Sequence, residues 1–193
     1  MRDCTQFYID GQWVDPVEEN TVAVENPATE QTIGHISFGT AADVDKAVVA
    51  ARRAFESFSQ TSKEERLTLL RAIQAEIETR KEELATAVSD EMGAPLSLAN
   101  GPHVGLLAGH CQKAIEVLEG FAFERLDGPT LHVWEPVGVV GMITPWNWPL
   151  NQIACKVFPA LATGNTMVLK PSEIAPFNAY IFAEIMHAAG VPA

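Results

Sequence analysis

The sequence predicts an α/β protein of the doubly wound type, preceded by a group of helices and a small N-terminal hairpin. Three observations carry this expectation. Helical periodicity dominates up to about residue 125; beyond it, apolar strand-like runs alternate with helical ones; and no stretch rich in Pro, Gly or Ser divides the chain. With 193 residues, 47% of them hydrophobic, the chain is long enough to bury a core.

Phe7 to Val14 reads as a hairpin, with aromatic and β-branched residues on either side of an Asp10-Gly11 turn. Asn26-Pro27-Ala28-Thr29 is a turn, and Gln31 to Ser37 a short strand. Thr40 to Asp43 has the form of a capping box in its Asp variant. It opens a helix with Val44, Ala47, Val48, Ala51, Phe55 and Phe58 at helical spacing. Ser62 to Glu65 repeats the device, and Leu69, Leu70, Ile73 and Ile77 mark the buried side of the helix that follows. A helix from about Glu82 to Met92 stops at Gly93, and Pro95 forbids easy continuation. Val104, Leu107, Ala108, Cys111, Ile115, Leu118 and Ala122 mark a further long helix.

Past residue 125, Thr130 to Glu135 is one expected strand and Val137 to Thr144 a second. The second is a nearly unbroken apolar run, as suits a strand buried on both faces of a parallel sheet. Asn151 to Leu161 then reads as a helix stopped near Gly164, Thr166 to Lys170 as a strand, and Pro176 to Ala189 as a helix stopped at Gly190. This is the strand, helix, strand, helix series of a doubly wound unit.

A formal charge of −12, with no Lys/Arg cluster to offset it, argues against nucleic acid or an anionic membrane as partner. Residues 1–10 hold a single Arg and no apolar run, and the run around Val137 to Ile143 is far too short to span a bilayer, so a cytoplasmic protein is expected. Cys4, Cys111 and Cys155 are odd in number and widely spaced, which indicates neither a disulfide framework nor a zinc site. His103 and His110, seven apart, could share a helix face, but no ligand spacing marks a metal site.

Ligands of an open parallel sheet bind outside the carboxyl ends of its strands. Two segments fall there: Thr144-Pro145-Trp146-Asn147-Trp148-Pro149-Leu150 after one expected strand, and Lys170-Pro171-Ser172-Glu173 after the next. No G-x-G-x-x-G is present, since Gly138 and Gly141 fall within a strand. The periodicity by itself supports a nucleotide-type α/β unit and no particular reaction.

The motifs add more. Pro-Trp-Asn followed by an aromatic and Pro-Leu, then Pro159-Ala-Leu-Ala-Thr-Gly-Asn165 and Lys170-Pro-Ser-Glu173, resembles the aldehyde dehydrogenase superfamily. So do Tyr8-Ile-Asp-Gly-Gln-Trp13, Glu25-Asn-Pro-Ala-Thr29, the Glu-Glu-Arg-Leu helix start at Glu64 and Glu135-Pro-Val-Gly-Val-Val140, so that the resemblance covers effectively the whole chain. It implies the N-terminal part of a Rossmann-like cofactor domain, with hairpin and helices over 1–125 and a β-α-β-α part over 126–193. The catalytic domain would lie beyond.

The chemistry implied by the resemblance is attack of a cysteine thiolate on an aldehyde, hydride transfer to NAD(P)+, and release of the acid by a glutamate-activated water. Asn147 matches the oxyanion-stabilising amide. Ile143, Thr144, Pro145 and Trp146 match positions whose backbone lies along the cofactor, Lys170 and Glu173 match positions that bind its adenosine ribose, and Ser172 is a further cofactor-binding position. The Glu173 carboxylate would repel a 2′-phosphate and favour NAD, with NADP not excluded. Trp148, Gln152 and Cys155 match the wall of the tunnel for the aldehyde substrate, and Asn151 with Gln152 suggests a somewhat polar carbonyl compound. Cys155 invites the role of nucleophile, but the resemblance places nucleophile and base in a later segment. A homo-dimer or homo-tetramer is implied for the full-length form.

Taken singly, these residues have plainer readings: a loop Asn that bonds its own backbone, an exposed strand end, and core side chains. The competing function is a short non-catalytic module that binds nucleotide or a full-length subunit. The absence of a cap or charged tail after Gly190 favours a fragment of the enzyme, inactive alone.

Overall fold

The computed structural model describes residues 2–192. Residues 2–40 consist of strands, turns and loops. β1 (Arg2–Cys4), β4 (Thr21–Asn26) and β5 (Gln31–Ser37) form a three-stranded sheet in the order β1-β5-β4, with β1 parallel and β4 antiparallel to β5. β2 (Phe7–Ile9) and β3 (Gln12–Val14) form the expected hairpin, and Asp10 and Gly11 both take positive φ, 56° and 73°, as its two-residue turn requires. Asn26 closes the β4–β5 turn, its side-chain oxygen accepting from Ala28 N and its carbonyl from Glu30 N. Gly34 sits where β1 crosses β5: a Cβ there would lie 1.9 Å from the carbonyl oxygen of Arg2. Only glycine allows that approach.

Four helical elements follow: α1 (Ala41–Phe58), α2 (Lys63–Thr79), α3 (Lys81–Met92) and a single turn α4 (Leu96–Leu98). A π-helical turn, Ala99–His103, then feeds α5 (Val104–Gly120). Both capping boxes form as read, at Thr40 with Asp43 and at Ser62 with Glu65, and Gly93 ends α3 in the left-handed region. The face of α1 differs from expectation. Val44 is 54% exposed, while Asp43, Ala50, Ala51 and Phe58 are buried. Small side chains at 50 and 51 let the helix backbone approach the strand that begins at Thr166, whose Oγ1 donates to the carbonyl of Ala51 at 2.8 Å.

The rest of the chain is β6 (Glu124–Asp127), β7 (Thr130–Val133), β8 (Val139–Ile143), α6 (Pro149–Ala162), β9 (Thr166–Lys170) and α7 (Phe177–Ala188). β6 and β7 form an exposed antiparallel hairpin, while β8 and β9 pair in parallel across α6 as a βαβ unit. The apolar run around β8 is not buried on both faces. Val140 packs against the core and Met142 is buried, but Val137 is 88% and Ile143 77% exposed. Among the described residues this sheet has two strands, so helices cover one side chain row and leave the alternate row open.

The core is continuous from α2, through α3 and α5, to α6 and α7, with Leu70, Ile73, Leu107, Leu150, Ile153 and Ile181 fully enclosed. Among the described residues no helix is long and apolar enough to cross a membrane, and no cluster of His, Cys, Asp or Glu could hold a metal ion. His103 and His110 do not meet: the first lies against Trp148, the second bonds Asn151.

Candidate functional site

β8 and β9 are in register from Val139–Thr166 to Ile143–Lys170. The pairing runs one step further, with Thr144 N donating to the carbonyl of Lys170 at 3.2 Å. Both segments singled out by the sequence therefore leave the same sheet edge side by side, at the carboxyl ends of parallel strands.

The parallel pair depends on the Thr163-Gly164-Asn165 corner. Buried Asn165 accepts the N–H groups of Val137 and Gly138 on Oδ1, at 2.7 and 3.0 Å, and donates to Thr163 Oγ1 at 2.8 Å. One amide side chain thus fixes the entry of β8 and the start of β9. Gly164 has φ of 78°, and a Cβ there would meet the guanidinium of Arg66 at 2.5 Å. Arg66 is itself buried, donating to Thr61 Oγ1 and to the carbonyl of Ser59, with its guanidinium over the ring of Phe123. The Glu-Glu-Arg-Leu and Thr-Gly-Asn motifs are therefore two halves of one structural contact.

The first loop runs from Thr144 to Trp148. Thr144 is buried, Pro145, Trp146 and Asn147 are exposed, and Trp148 is half-buried. Trp148 stands at the N-cap of α6 without capping it, and Pro149 occupies the first helical position. Asn147 thus presents its amide to solvent beside the positive end of a helix. Along α6, Asn151 Oδ1 meets His110 Nε2 at 2.9 Å, and Lys156 Nζ donates to the carbonyl and side-chain oxygens of Gln152, each at 3.1 Å. Cys155 is exposed on the same helix.

In the second loop, Lys170 Nζ pairs with Glu173 Oε2 at 2.9 Å. The backbone N–H of Glu173 and then Lys170 hold this carboxyl below its usual value, so it is ionised at neutral pH. Ser172 is buried, its Oγ accepting from Ile174 N at 3.2 Å in a local turn. A cleft of about 480 Å³ runs along β9 and is lined by Lys170, Ser172 and Glu173 together with Phe38, Val44 and Ala47. Ile143 to Trp148, and Gln152 with Cys155, lie outside this cleft, so the expected site residues form two groups.

The other two thiols are poorly suited to chemistry. Cys111 is buried, donates to the carbonyl of Leu70, and is pushed up to about 12 by desolvation; burial also raises Cys4. Sequence reasoning missed Glu91, Asn165 and the stacking of His103. Their roles depend on contacts across tens of residues that no local spacing signals.

A parallel β-α-β unit with its informative loops at the carboxyl ends of the strands is of the Rossmann-like α/β class. The sequence pattern of the aldehyde dehydrogenase family matches residues 13–193, and the chain belongs to that family. It is 54% identical over 193 residues to a 3-succinoylsemialdehyde-pyridine dehydrogenase from a Pseudomonas species, and 48% identical over 192 residues to a putative aldehyde dehydrogenase of Staphylococcus aureus (strain bovine RF122 / ET3-1). Each alignment covers 100% of this chain and 40% of the relative, so the chain spans about 40% of their length. Among solved structures, aldehyde dehydrogenase from Bartonella henselae superposes with a TM-score of 0.97 at 41% identity, covering 100% of this chain and 41% of that one. A variant of aldehyde dehydrogenase C from Pseudomonas syringae, in complex with NAD+ and octanal, gives 0.96 at 49% identity, over 98% and 39%.

Proposed function

We propose that the gene product containing this chain is an NAD-dependent aldehyde dehydrogenase that oxidises an aldehyde to a carboxylic acid through a cysteine thiohemiacetal and thioester. Residues 1–193 would supply the N-terminal part of its cofactor-binding region. The observation that carries this reading is the register of β8 and β9, which places the Asn147 loop beside the Lys170–Glu173 loop. Bound NAD+ would serve as hydride acceptor.

The donors and acceptors at the edge of β9 fit a ribose. Glu173 is ionised and able to accept from vicinal hydroxyls, and Lys170 offers N–H donors next to it. The same carboxylate opposes a 2′-phosphate. Ile143 to Trp146 would lie along the cofactor by their backbone. Asn147 would donate its amide to the oxyanion formed on attack, a stabilisation made only as charge develops. Trp148, Gln152 and Cys155 would form one wall of the aldehyde site. The exposed β6–β7 hairpin, with Leu126 70% exposed beside Leu131 and Val133, supports a homo-oligomer in which a second copy covers it.

The test is NADH formation by the gene product containing this chain, with octanal and an aryl semialdehyde as substrates and NADP+ as a parallel cofactor. Aldehyde-dependent reduction of NAD+ is expected. Cofactor binding without turnover would favour the alternative, a non-catalytic nucleotide-binding or subunit-interaction module. The 193-residue chain alone is expected to be inactive, and replacing Cys155 by Ser should change nothing in that result.

A further inference from the structure

Behind the first loop, the imidazole of His103 lies nearly parallel to the indole of Trp148, with ring centroids 4.3 Å apart and an interplanar angle of 18°. His103 is only 1% exposed, and its Nδ1 is buried without a hydrogen-bond partner among the described residues. Leaving a polar ring atom unpaired in the interior is costly, and an aliphatic side chain would avoid that cost. What imidazole supplies here is a flat face. Desolvation holds the ring below the usual histidine value, which keeps it neutral against the indole.

The backbone around His103 is equally specific. The residue closes a five-residue π-helical turn, Ala99–His103, with Pro102 inside, and α5 begins directly after it. Such turns shift side chains off the regular helical register and recur at functional sites. Two turns further along α5, His110 meets Asn151 on α6. The α5–α6 seam is thus fixed by a polar pair within the helices and an aromatic pair at the point where the loop enters α6. Trp148 itself stands outside the helical conformation, with φ −141° and ψ 62°, so the helix does not set its ring plane.

We propose that His103 is the positioning residue for Trp148, holding the indole as a flat wall of fixed tilt against which the aldehyde packs. It thereby governs how tightly aldehyde is held, and it favours aldehydes that carry an aromatic ring. A ring stacks on a fixed indole, whereas a straight alkyl chain adapts to a tilted one. The proposal rests on the reading of Trp148 as part of the aldehyde site.

The test compares His103→Ala, His103→Leu, His103→Phe and Trp148→Ala in the gene product containing this chain, with 3-phenylpropanal and hexanal as substrates. His103→Ala and His103→Leu should raise KM for 3-phenylpropanal by about 5- to 10-fold and for hexanal by less, with kcat and the KM for NAD+ within about twofold of wild type. His103→Phe, flat but without ring nitrogens, should restore the wild-type KM. If the alanine variant does not fold, the Leu and Phe pair decides. Wild-type KM in His103→Leu alongside a raised KM in Trp148→Ala would overturn the positioning role, as would failure of His103→Phe to restore KM. Unchanged KM for both aldehydes in Trp148→Ala would remove Trp148 from the aldehyde site, and His103 with it.

Discussion

Oε1 of Glu91 accepts both the backbone N–H of Asn178, at 3.0 Å, and its side-chain amide, at 2.5 Å. The other oxygen accepts from Phe177 N. α7 has no side-chain cap of its own, since Pro176 stands at its N-cap, and a carboxyl from α3 satisfies its first donors instead. The strand-end loop carrying Ser172 and Glu173 leads straight into this anchored helix, so the packing of α3 sets where that loop ends.

Replacing Glu91 by Ala would leave two backbone donors buried and unpaired, and the expected loss is about 3 kcal/mol. Burial pushes the Glu91 carboxyl from 4.5 up to about 7, against the pull of its three N–H donors. A carboxyl that binds its proton more tightly folded than unfolded stabilises most below the unfolded value, and its contribution is lost as pH rises through 7. Across that window the change is of order 3 kcal/mol. Urea unfolding of wild type and Glu91→Gln at pH 5 and pH 8 should show the wild-type advantage shrinking at the higher pH. An advantage that grows with pH would mean that the ionised carboxylate is the capping form.

Gly164→Ala should destabilise by about 1–3 kcal/mol, because alanine is strained at positive φ and its methyl would press on the guanidinium of Arg66. Differential scanning calorimetry would read this as a lowered Tm. An unchanged Tm would show that Arg66 swings away freely and does not hold the corner.

Asn147→Ala should lower kcat by about 10²-fold or more, with binding of NAD+ nearly unchanged, since the amide acts on charge that appears in the transition state. Steady-state kinetics with octanal, paired with NAD+ titration by fluorescence, separates the two quantities. Wild-type turnover would return Asn147 to the plain role of a turn residue.

Glu173→Gln should narrow the preference for NAD+ over NADP+, because the charge that repels a 2′-phosphate is gone while the side chain keeps its size. The ratio of kcat/KM for the two cofactors is the measurement. An unaltered ratio would mean that the Lys170–Glu173 ion pair is merely a solvated strand end.

Elements whose signals are local were legible in the sequence. Thr40 and Ser62 carry their capping partners three residues on, Asp10-Gly11 suits a two-residue turn, and Gly93 and Gly190 mark helix ends through backbone conformation alone. Strands β1, β4 and β6 were not anticipated: β1 has three residues, and its place depends on a parallel pairing with β5 some thirty residues away. Val44 and Val137 misled because periodicity reports which side chains are apolar, while the neighbour that covers them is a tertiary fact. The same holds at the site. Its two loops were placed by the strand and helix series, but the stack of His103 on Trp148 and the cap from Glu91 join segments 45 and more residues apart, with no shared pattern.

The single hydroxyl proton of Tyr180 on α7 is shared between the carbonyls of Cys4 and Gln6, at 2.5 and 2.9 Å, while its ring stacks on Trp13. The two sides of this contact leave the ribosome far apart in time. At about 5–20 residues per second, the 174 residues between Gln6 and Tyr180 take roughly 10–35 s to emerge. Throughout that time the N-terminal hairpin lacks the α7 side chains Tyr180 and His187 against which it packs, although its own turn forms in microseconds. Trp13 and Tyr8 therefore stay open to chaperones, proteases or wrong partners until α7 is complete, whereas β1 finds its partner β5 much earlier.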